Sequence, residues 1–197
     1  METTTKSYIA FYFLYKLLEA NIPKKQASNI ISATHALGTT ALSYLYLNNI
    51  GKGYFSILRY FSTAYFLHDS VQLAYTNKWT MITIGYLYHH IASMFLLNGA
   101  VEPNIIGQIF FWAELSNLPT YPLYHYLHQK GNHKKKIRIL RILQKIMYTC
   151  IRIPVLTQMI GRFLQERGRS NIPGPLMAIL PVYFMGLGWS YKILLQN

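Results

Sequence analysis

The sequence predicts an all-α protein, a multi-pass transmembrane helical bundle of six to seven helices. Of its 197 residues, 52% are hydrophobic and only six are acidic, which is too little surface charge for an ordinary soluble domain of this length. Apolar segments of roughly membrane-spanning length recur along the chain, with short polar stretches between them. The single cysteine, Cys150, excludes an intrachain disulfide and lies in no metal-binding or redox motif.

Seven apolar segments follow one another from the amino terminus. The first, residues 8–22, is short and carries Lys16 and Glu19, and it lacks the basic start and small-residue cleavage site of a removable signal peptide. We interpret residues 1–23 as an N-terminal anchor or interfacial helix and residues 24–197 as one transmembrane domain. The later segments lie at 28–48, 54–75, 80–100, 104–128, 139–164 and 174–195.

Two of these segments contain interruptions. In the fifth, Pro119 and Pro122 cannot donate backbone hydrogen bonds, so we expect a kink and unpartnered carbonyl groups at Leu115 and Leu118. In the sixth, Arg152 and Pro154 interrupt the apolar run. We therefore expect the sixth segment to lie partly along a polar cavity.

The positive charge of the chain lies mainly between the apolar segments. The formal net charge is +13, and its clustering in the loops favours anionic lipid headgroups over nucleic acid as partners. The more basic loops are expected to face the cytosol, which places the amino terminus outside and Lys192 on the cytosolic side. The basic set contains Lys24, Lys25, Lys78, Lys130, Lys134, Lys135, Lys136 and Arg138, whereas the opposite loops contain Lys52, Glu102, Glu166, Arg167 and Arg169.

Four of the segments carry polar side chains at helical spacing, which places these side chains on one face of each helix. A single Ser, Thr or Tyr in such a position commonly serves as an interhelical hydrogen bond. Carboxylates and imidazoles at that depth must instead be paired or hydrated, so the stripes predict a water-accessible binding or reaction chamber. Its candidate members are His35, Asp69, His89, His90, Glu114, Asn117, Tyr121 and His125.

The adjacent histidines His89 and His90 lie inside the fourth apolar segment, where a titratable side chain costs free energy. An imidazole can remove a proton from an attacking amine or hydroxyl group, or can itself accept an acyl group. Either histidine fits the role of base or nucleophile. Asp69 or Glu114 could orient that imidazole and stabilise its cationic form.

The sixth segment carries a basic stripe that runs inward from its amino-terminal end. Arg138, Arg141, Lys145, Tyr148 and Arg152 recur every three or four residues and could hold the phosphates of CoA or of a phospholipid. The alternative for the outer residues is snorkelling to lipid headgroups. Arg152 lies about 21 Å beyond Arg138 along a straight helix, which is too deep for easy snorkelling from that side.

Several short motifs, in this order and spacing, resemble the TLC domain, the domain that takes its name from TRAM, the Lag1-type ceramide synthases and the CLN8 protein. The resemblance covers the chain from about Lys24 to the carboxyl terminus. The motifs are SATHA at 32–36, YFLHD at 65–69, YHHIAS at 88–93, the Asn-Gly pair at 98–99 and ELSNLP at 114–119.

The resemblance implies a helical membrane protein that handles lipids, located in the endoplasmic reticulum or a related endomembrane. In ceramide synthases of this family, the histidine pair precedes two aspartates, and the enzyme transfers an acyl chain from acyl-CoA to a sphingoid amine. His89 and His90 match the pair, whereas Glu114 and Asn117 stand near the places of the aspartates, so the second acid is absent. The ELSNLP form is more similar to the TLC-domain-containing group, several members of which are linked to phospholipid composition or lipid transfer.

These expectations define a candidate site and two function classes. One class is an acyltransferase that uses acyl-CoA as co-substrate, with no bound cofactor or metal; the other is a non-catalytic lipid-binding, membrane-composition or cargo-handling protein. Membrane lipids are the expected partners of both, and both are compatible with a homo-oligomer. The catalytic candidates are His89, His90, Asp69 and Glu114, and the substrate-binding candidates are His35, Asn117, Tyr121, His125 and Arg152.

Two metal-dependent alternatives fit the sequence less well. Membrane hydroxylases and desaturases space their iron-binding histidines as HxxxH and HxxHH, and neither pattern occurs in this chain. A haem between two helices would need opposed histidines such as His35 and His89.

Overall fold

The computed structural model describes residues 2–50, 53–76, 79–100, 102–167 and 173–195, and the described residues form α-helices joined by short turns and by two π-helical segments. The predicted all-α class is confirmed. Lys52, Lys78 and Arg169, which entered the topology prediction, lie outside the described residues. The helices are α1 Glu2–Glu19, α2 Lys24–Leu47, α3 Tyr54–Thr76, α4 Met81–Phe95, α5 Pro103–Asn117, α6 Thr120–His128, α7 Lys134–Ile146, α8 Ile153–Arg167 and α9 Pro173–Leu195.

Local sequence signals set the ends of α4. The side chain of Thr80 accepts a hydrogen bond from the Thr83 backbone N–H at 3.2 Å and so caps the amino terminus of the helix. At the other end, within the π-helical segment Leu96–Ala100, the helical backbone is broken by a kink at Asn98 and at Gly99, which has φ = +112°. This backbone conformation favours glycine, which has no Cβ to clash with it. The fourth predicted segment therefore ends close to where the sequence placed its end.

The fifth predicted segment is divided at its prolines, as expected. Helix α5 ends at Asn117 and α6 begins at Thr120, with Pro119 between them. The expectation of an unpartnered Leu115 carbonyl is wrong, because the backbone N–H of Leu118 donates to it at 3.3 Å. The tighter turn thus satisfies a group that the missing proline N–H leaves open.

The sixth predicted segment contains a π-helical turn, Met147–Arg152, that joins α7 to α8. Such a turn has one more residue per hydrogen-bonded ring than an α-helix and is found mostly at functional sites. Here it carries Tyr148 and Arg152, and both side chains are buried.

Six helical units, α2, α3, α4, α5, α8 and α9, pack side by side in a closed ring. Helix α2 contacts α3, α3 contacts α4, α4 contacts α9, α9 contacts α8, α8 contacts α5, and α5 returns to α2. Helix α1 packs outside this ring against α2 and α3, where it buries Phe11 and Tyr15. Helices α6 and α7 pack against each other, and α6 also contacts α2. A closed ring leaves space at its centre.

Several polar side chains are buried in this protein, and many large apolar side chains are exposed. Among the buried residues are His35, His90 and Arg152, whereas large apolar side chains such as Leu17 and Met81 are 66% and 83% exposed. An apolar exterior of this kind is typical of a surface that faces lipid or a partner. By length and hydropathy alone, one helix of the described part of the chain could cross a membrane, at 177–195 within α9, with a mean hydropathy of 1.4.

Candidate functional site

The ring surrounds a polar cavity of about 620 Å³ that is lined by five of its six helices, α2, α3, α4, α5 and α9, and by residues of α6, α7 and the π-helical turn Met147–Arg152. Eight of the nine candidate residues from the sequence line it, although they come from five separate segments. The ninth, His125, is exposed near the carboxyl end of α6 and lies outside the cavity. The eight are His35, Asp69, His89, His90, Glu114, Asn117, Tyr121 and Arg152.

His90 is held by groups on the neighbouring helix α3. Its Nε2 atom lies 3.5 Å from Oδ2 of Asp69, and its Nδ1 atom lies 3.4 Å from Oγ of Ser70. The His90 side chain is buried, whereas the Asp69 side chain is 23% exposed. A carboxylate beside one ring nitrogen fixes the tautomer of the imidazole and the orientation of its ring, as in hydrolase triads.

His89 has no such partner. Its Nδ1 atom is buried and makes no hydrogen bond within the described part of the chain. The ring is instead enclosed by the edges of aromatic side chains, with centroid distances of 6.3 Å to Phe66 and 6.1 Å to Trp189. The two histidines of the pair therefore differ in state: His90 is oriented by an acid, and His89 presents an imidazole whose Nδ1 atom is unpartnered.

His35 closes the cavity from α2. Its ring stacks on Tyr65 with a centroid distance of 3.9 Å, and its Nε2 atom lies 3.0 Å from Oγ1 of Thr39. Thr39 in turn contacts Oγ of Ser62 at 3.0 Å. Because this imidazole is stacked and hydrogen-bonded, it is better suited to shaping the wall than to proton transfer.

Asn117 connects the acid of α5 to the cation of the next unit. Its Nδ2 group donates to Oε2 of Glu114 at 3.2 Å, and its Oδ1 atom accepts from Nη1 of Arg152 at 2.7 Å. The hydroxyl of Tyr148 donates to the same Oδ1 atom. An amide both donates and accepts, so it can bridge a carboxylate and a guanidinium in a way that an aspartate at this position cannot.

Arg152 is buried, with 7% of its surface exposed. Its guanidinium lies over the ring of Tyr148, 4.9 Å from the centroid. The Nε atom is buried and makes no hydrogen bond within the described ranges. The π-helical turn that ends at Arg152 brings this side chain to the cavity wall.

A second, apolar crevice of about 90 Å³ adjoins the polar cavity. The two share wall residues, so the polar cavity and the apolar crevice lie directly beside each other. Aliphatic side chains of α5, α8 and α9 form much of the crevice wall, among them Ile109, Leu156, Ile160, Ile179 and Val182. The shared residues are Phe66, His89, Glu114, Asn117 and Arg152.

Some cavity residues were not candidates from the sequence. Trp189 and Lys192 of α9 line the cavity, and Trp189 stacks on Tyr86 with a centroid distance of 5.0 Å. The segment around them is otherwise apolar. The only sequence signal for a polar site there is the close spacing of the tryptophan and the lysine, three residues apart. Gln144 donates to Thr120 at 3.0 Å across α7 and α6, a contact that no spacing rule indicates.

His68, which neighbours Asp69 in the sequence, points away from the cavity. It is 2% exposed, and its ring lies against Tyr8 and Tyr15 of α1 at centroid distances of 6.2 and 5.6 Å. Consecutive residues of a helix are about 100° apart, so the neighbour of a cavity residue faces another side. His68 therefore belongs to the contact between α1 and α3.

Comparison with known proteins gives one match. The family model TRAM_LAG1_CLN8, described as the TLC domain, matches residues 28–195. No curated protein and no solved structure matches the chain. The matched region contains the ring of six helical units and every residue of both cavities.

Proposed function

This chain belongs to the TLC domain family, and from that membership we propose that it is a multi-pass integral membrane protein that acts on a lipid inside its helix ring. The apolar exterior and polar interior support a ring embedded in the bilayer. We propose the endoplasmic reticulum or a related endomembrane as its location, as the family resemblance implies.

The position of His89 is the observation that carries the proposal. It lines both the polar cavity and the apolar crevice, so it lies at their junction. A lipid with its headgroup in the polar part and its chain in the apolar part would place the bonds between them beside this imidazole. General acid–base catalysis requires such reach between the side chain and the reacting group.

The reaction that this arrangement supports best is acyl transfer from acyl-CoA to a lipid amine or hydroxyl group. In this proposal the imidazole of His89 removes the proton of the attacking group, whose nitrogen or oxygen bonds to the thioester carbonyl carbon. The carbon–sulfur bond then breaks, and the CoA thiolate receives that proton from the imidazolium. No proton or electron is left over, and no further co-reactant is needed.

The neighbouring groups act on this imidazole or on the substrate. His90, which Asp69 orients, stabilises the charge that develops on the reacting groups beside His89. Glu114 of α5 provides a second carboxylate. Asn117 holds Glu114 in place. These are positioning roles, because neither Asp69 nor Asn117 is the group that exchanges a proton with the substrate in this proposal.

Replacing His89 tests the proposal. Purified protein in lipid nanodiscs, given labelled acyl-CoA and a panel of lipid amines and alcohols, is expected to form acylated lipid. His89→Gln should lower the rate at least about 100-fold, in line with the loss of a general base. His125→Gln is the matched control, because it changes a histidine outside the cavity. Product formed by His89→Gln at the wild-type rate would contradict the catalytic role.

A non-catalytic lipid-binding function is the second candidate, and one observation favours it. The motif position of the second acid is occupied by Asn117, which is already engaged with Glu114 and Arg152. Under this alternative, lipid co-purifies with the wild-type protein while no acceptor in the panel is acylated. His89→Gln would then change which lipids co-purify without any change in turnover.

A further inference from the structure

The buried guanidinium of Arg152 has hydrogen-bonding capacity that the described protein groups do not use. A guanidinium has five N–H donors, and in the described part of the chain one of its hydrogen bonds is to Asn117 while its Nε atom is without a partner. No carboxylate of the described residues lies within ion-pair distance of it; Glu114 reaches it only through the Asn117 amide. A charge buried in this way is costly unless an anion binds to it.

We propose that Arg152 binds the phosphate of a single-chain amphiphile whose hydrocarbon chain lies in the apolar crevice. This inference rests on the proposed lipid site, which it makes more specific. Because Arg152 lines both the cavity and the crevice, the phosphate lies close to the start of the chain. The crevice is small, at about 90 Å³, so it takes the part of one chain that adjoins the phosphate and leaves no room for a second chain.

The surroundings of Arg152 suit a phosphate better than a fatty-acid carboxylate. The polar cavity has a volume of about 620 Å³, far more than a carboxylate fills. It is lined by a second cation, Lys192, and by the donor groups of Tyr121 and Gln144. A phosphate group has more acceptor oxygens than a carboxylate and can bind several such donors together. The planar fork of an arginine matches two of those oxygens at once.

Binding of defined amphiphiles to the wild-type protein and to Arg152→Gln tests the inference. We expect 1-oleoyl-lysophosphatidate to bind at least about tenfold more weakly to the variant, which corresponds to one lost charge-assisted hydrogen bond. Monooleoylglycerol, which has the same chain and no phosphate, should bind equally to both. Arg162→Gln, which removes an exposed charge of α8 outside both cavities, should leave both affinities unchanged. Arg152→Lys should retain part of the preference, because it keeps the charge and loses the fork.

Further probes identify the source of the phosphate. Competition by inorganic phosphate alone would show an ion site with no need for a chain. Arg152-dependent binding of oleoyl-CoA without binding of lysophosphatidate would assign the phosphate to CoA, and the reverse would assign it to a lipid headgroup. Either result supports recognition of phosphate by Arg152. Oleate that binds as tightly as lysophosphatidate, with the same dependence on Arg152, would overturn the inference.

Two glycines of α9 provide a matched test of the crevice. Gly186 lines the crevice and Gly188 does not, and a Cβ atom added at either position meets no atom within 4 Å. Gly186→Leu is therefore expected to fill the crevice and to weaken lysophosphatidate and monooleoylglycerol alike, at least about tenfold. Gly188→Leu should have no effect on either. Equal binding by wild type and Gly186→Leu would contradict the placement of the chain.

The failure of this inference differs from the failure of the proposed function. Arg152→Gln that binds lysophosphatidate as tightly as wild type, with monooleoylglycerol binding intact, overturns the phosphate site and leaves the lipid site standing. Wild-type protein that binds none of the amphiphiles overturns both. Thermal denaturation of each variant in the same detergent shows whether lost binding reflects a lost fold.

Discussion

At the scale of single residues, Asn117 is the most connected side chain of the cavity. It joins Glu114, Tyr148 and Arg152, three polar groups on two helical units. The resemblance to ceramide synthases predicts an acid at this position, and the sequence has Asn117 there instead. The structure shows that an amide at this position does what a carboxylate cannot, since it donates to the acid and accepts from the cation.

We expect Asn117→Ala to destabilise the protein by about 1–3 kcal/mol, because it leaves buried polar groups on three side chains without their partner. Asn104→Ala is the control, since Asn104 is exposed and accepts one hydrogen bond, from Tyr46. Reversible unfolding in detergent gives both values. Equal loss of stability in the two variants would show that the cavity network contributes no more than a surface hydrogen bond.

Asp69, the only aspartate in the sequence, lies against the imidazole of His90. If the protein is an acyltransferase, Asp69→Asn should lower kcat at least about tenfold and change KM little, because the group orients an imidazole and binds no substrate. Steady-state kinetics with labelled acyl-CoA measures both constants. Glu102→Gln, which removes an exposed carboxylate outside both cavities, is the control. A tenfold rise in KM with unchanged kcat would instead assign Asp69 to substrate binding.

The sequence identified which residue types converge but not how they pair. His89 and His90 are equivalent as letters, and consecutive positions on a helix point about 100° apart. Whether Asp69 meets one or the other depends on the rotation of α3 against α4, which the spacing within a single helix does not contain. His125 has the helical spacing of Tyr121, but it lies one turn further along α6, near the exposed carboxyl end of the helix and beyond the cavity.

At the scale of helices, close approach between α2 and α3 depends on Gly38. A Cβ atom added there would lie 2.8 Å from the ring of Phe61, so the ring or the helix would have to move. We expect Gly38→Leu to destabilise the protein by about 1–3 kcal/mol, the usual cost of overpacking. Gly161→Leu on α8 is the control, because its added Cβ meets no atom within 4 Å. Thermal denaturation of both variants checks this, and equal midpoints would contradict a close α2–α3 contact.

The ends of the helices were predictable where the chemistry of a nearby residue determines them. Proline lacks an N–H, so the break between α5 and α6 could be placed within a few residues from Pro119 alone. The interruption at Met147–Arg152 had a similar signal in Pro154, which cannot donate a backbone hydrogen bond to the carbonyl of Cys150 within the turn. The π-helical form of this interruption was not predictable, since none of its six residues is excluded from an α-helix.

At the scale of the whole molecule, the closed ring was not predictable. Hydropathy and spacing predict helices and their polar faces, but the contact of α9 with α4 joins residues that are about 100 positions apart. The polar stripes indicated a shared chamber, and the ring explains why one exists: α2, α3, α4 and α5 turn their polar faces to the same centre. The apolar crevice between α5, α8 and α9 has no counterpart in the sequence analysis.

The membrane topology can be tested with single cysteines. In a Cys150→Ser background, we expect Asn132→Cys to react with an impermeant maleimide from the cytosolic side. Glu102→Cys should react only from the opposite side, because the proposed topology has α5 and α6, which connect the two positions, crossing the bilayer. Labelling in sealed vesicles of both orientations measures this. Reaction of both variants from the same side would contradict a membrane crossing by α5 and α6.

The number of residues in the π-helical turn Met147–Arg152 sets the rotation of α7 relative to α8 about the helix axis. An α-helix advances about 100° per residue, so removing one codon within Met147–Arg152 would rotate everything on one side of the turn by about that angle relative to the other side. Such a deletion would carry Arg152 out of register with Asn117 while leaving the net charge of the chain unchanged. The position of the cation thus depends on the number of residues in the turn as well as on their identity, and a family member one residue shorter here would be expected to recognise a different headgroup.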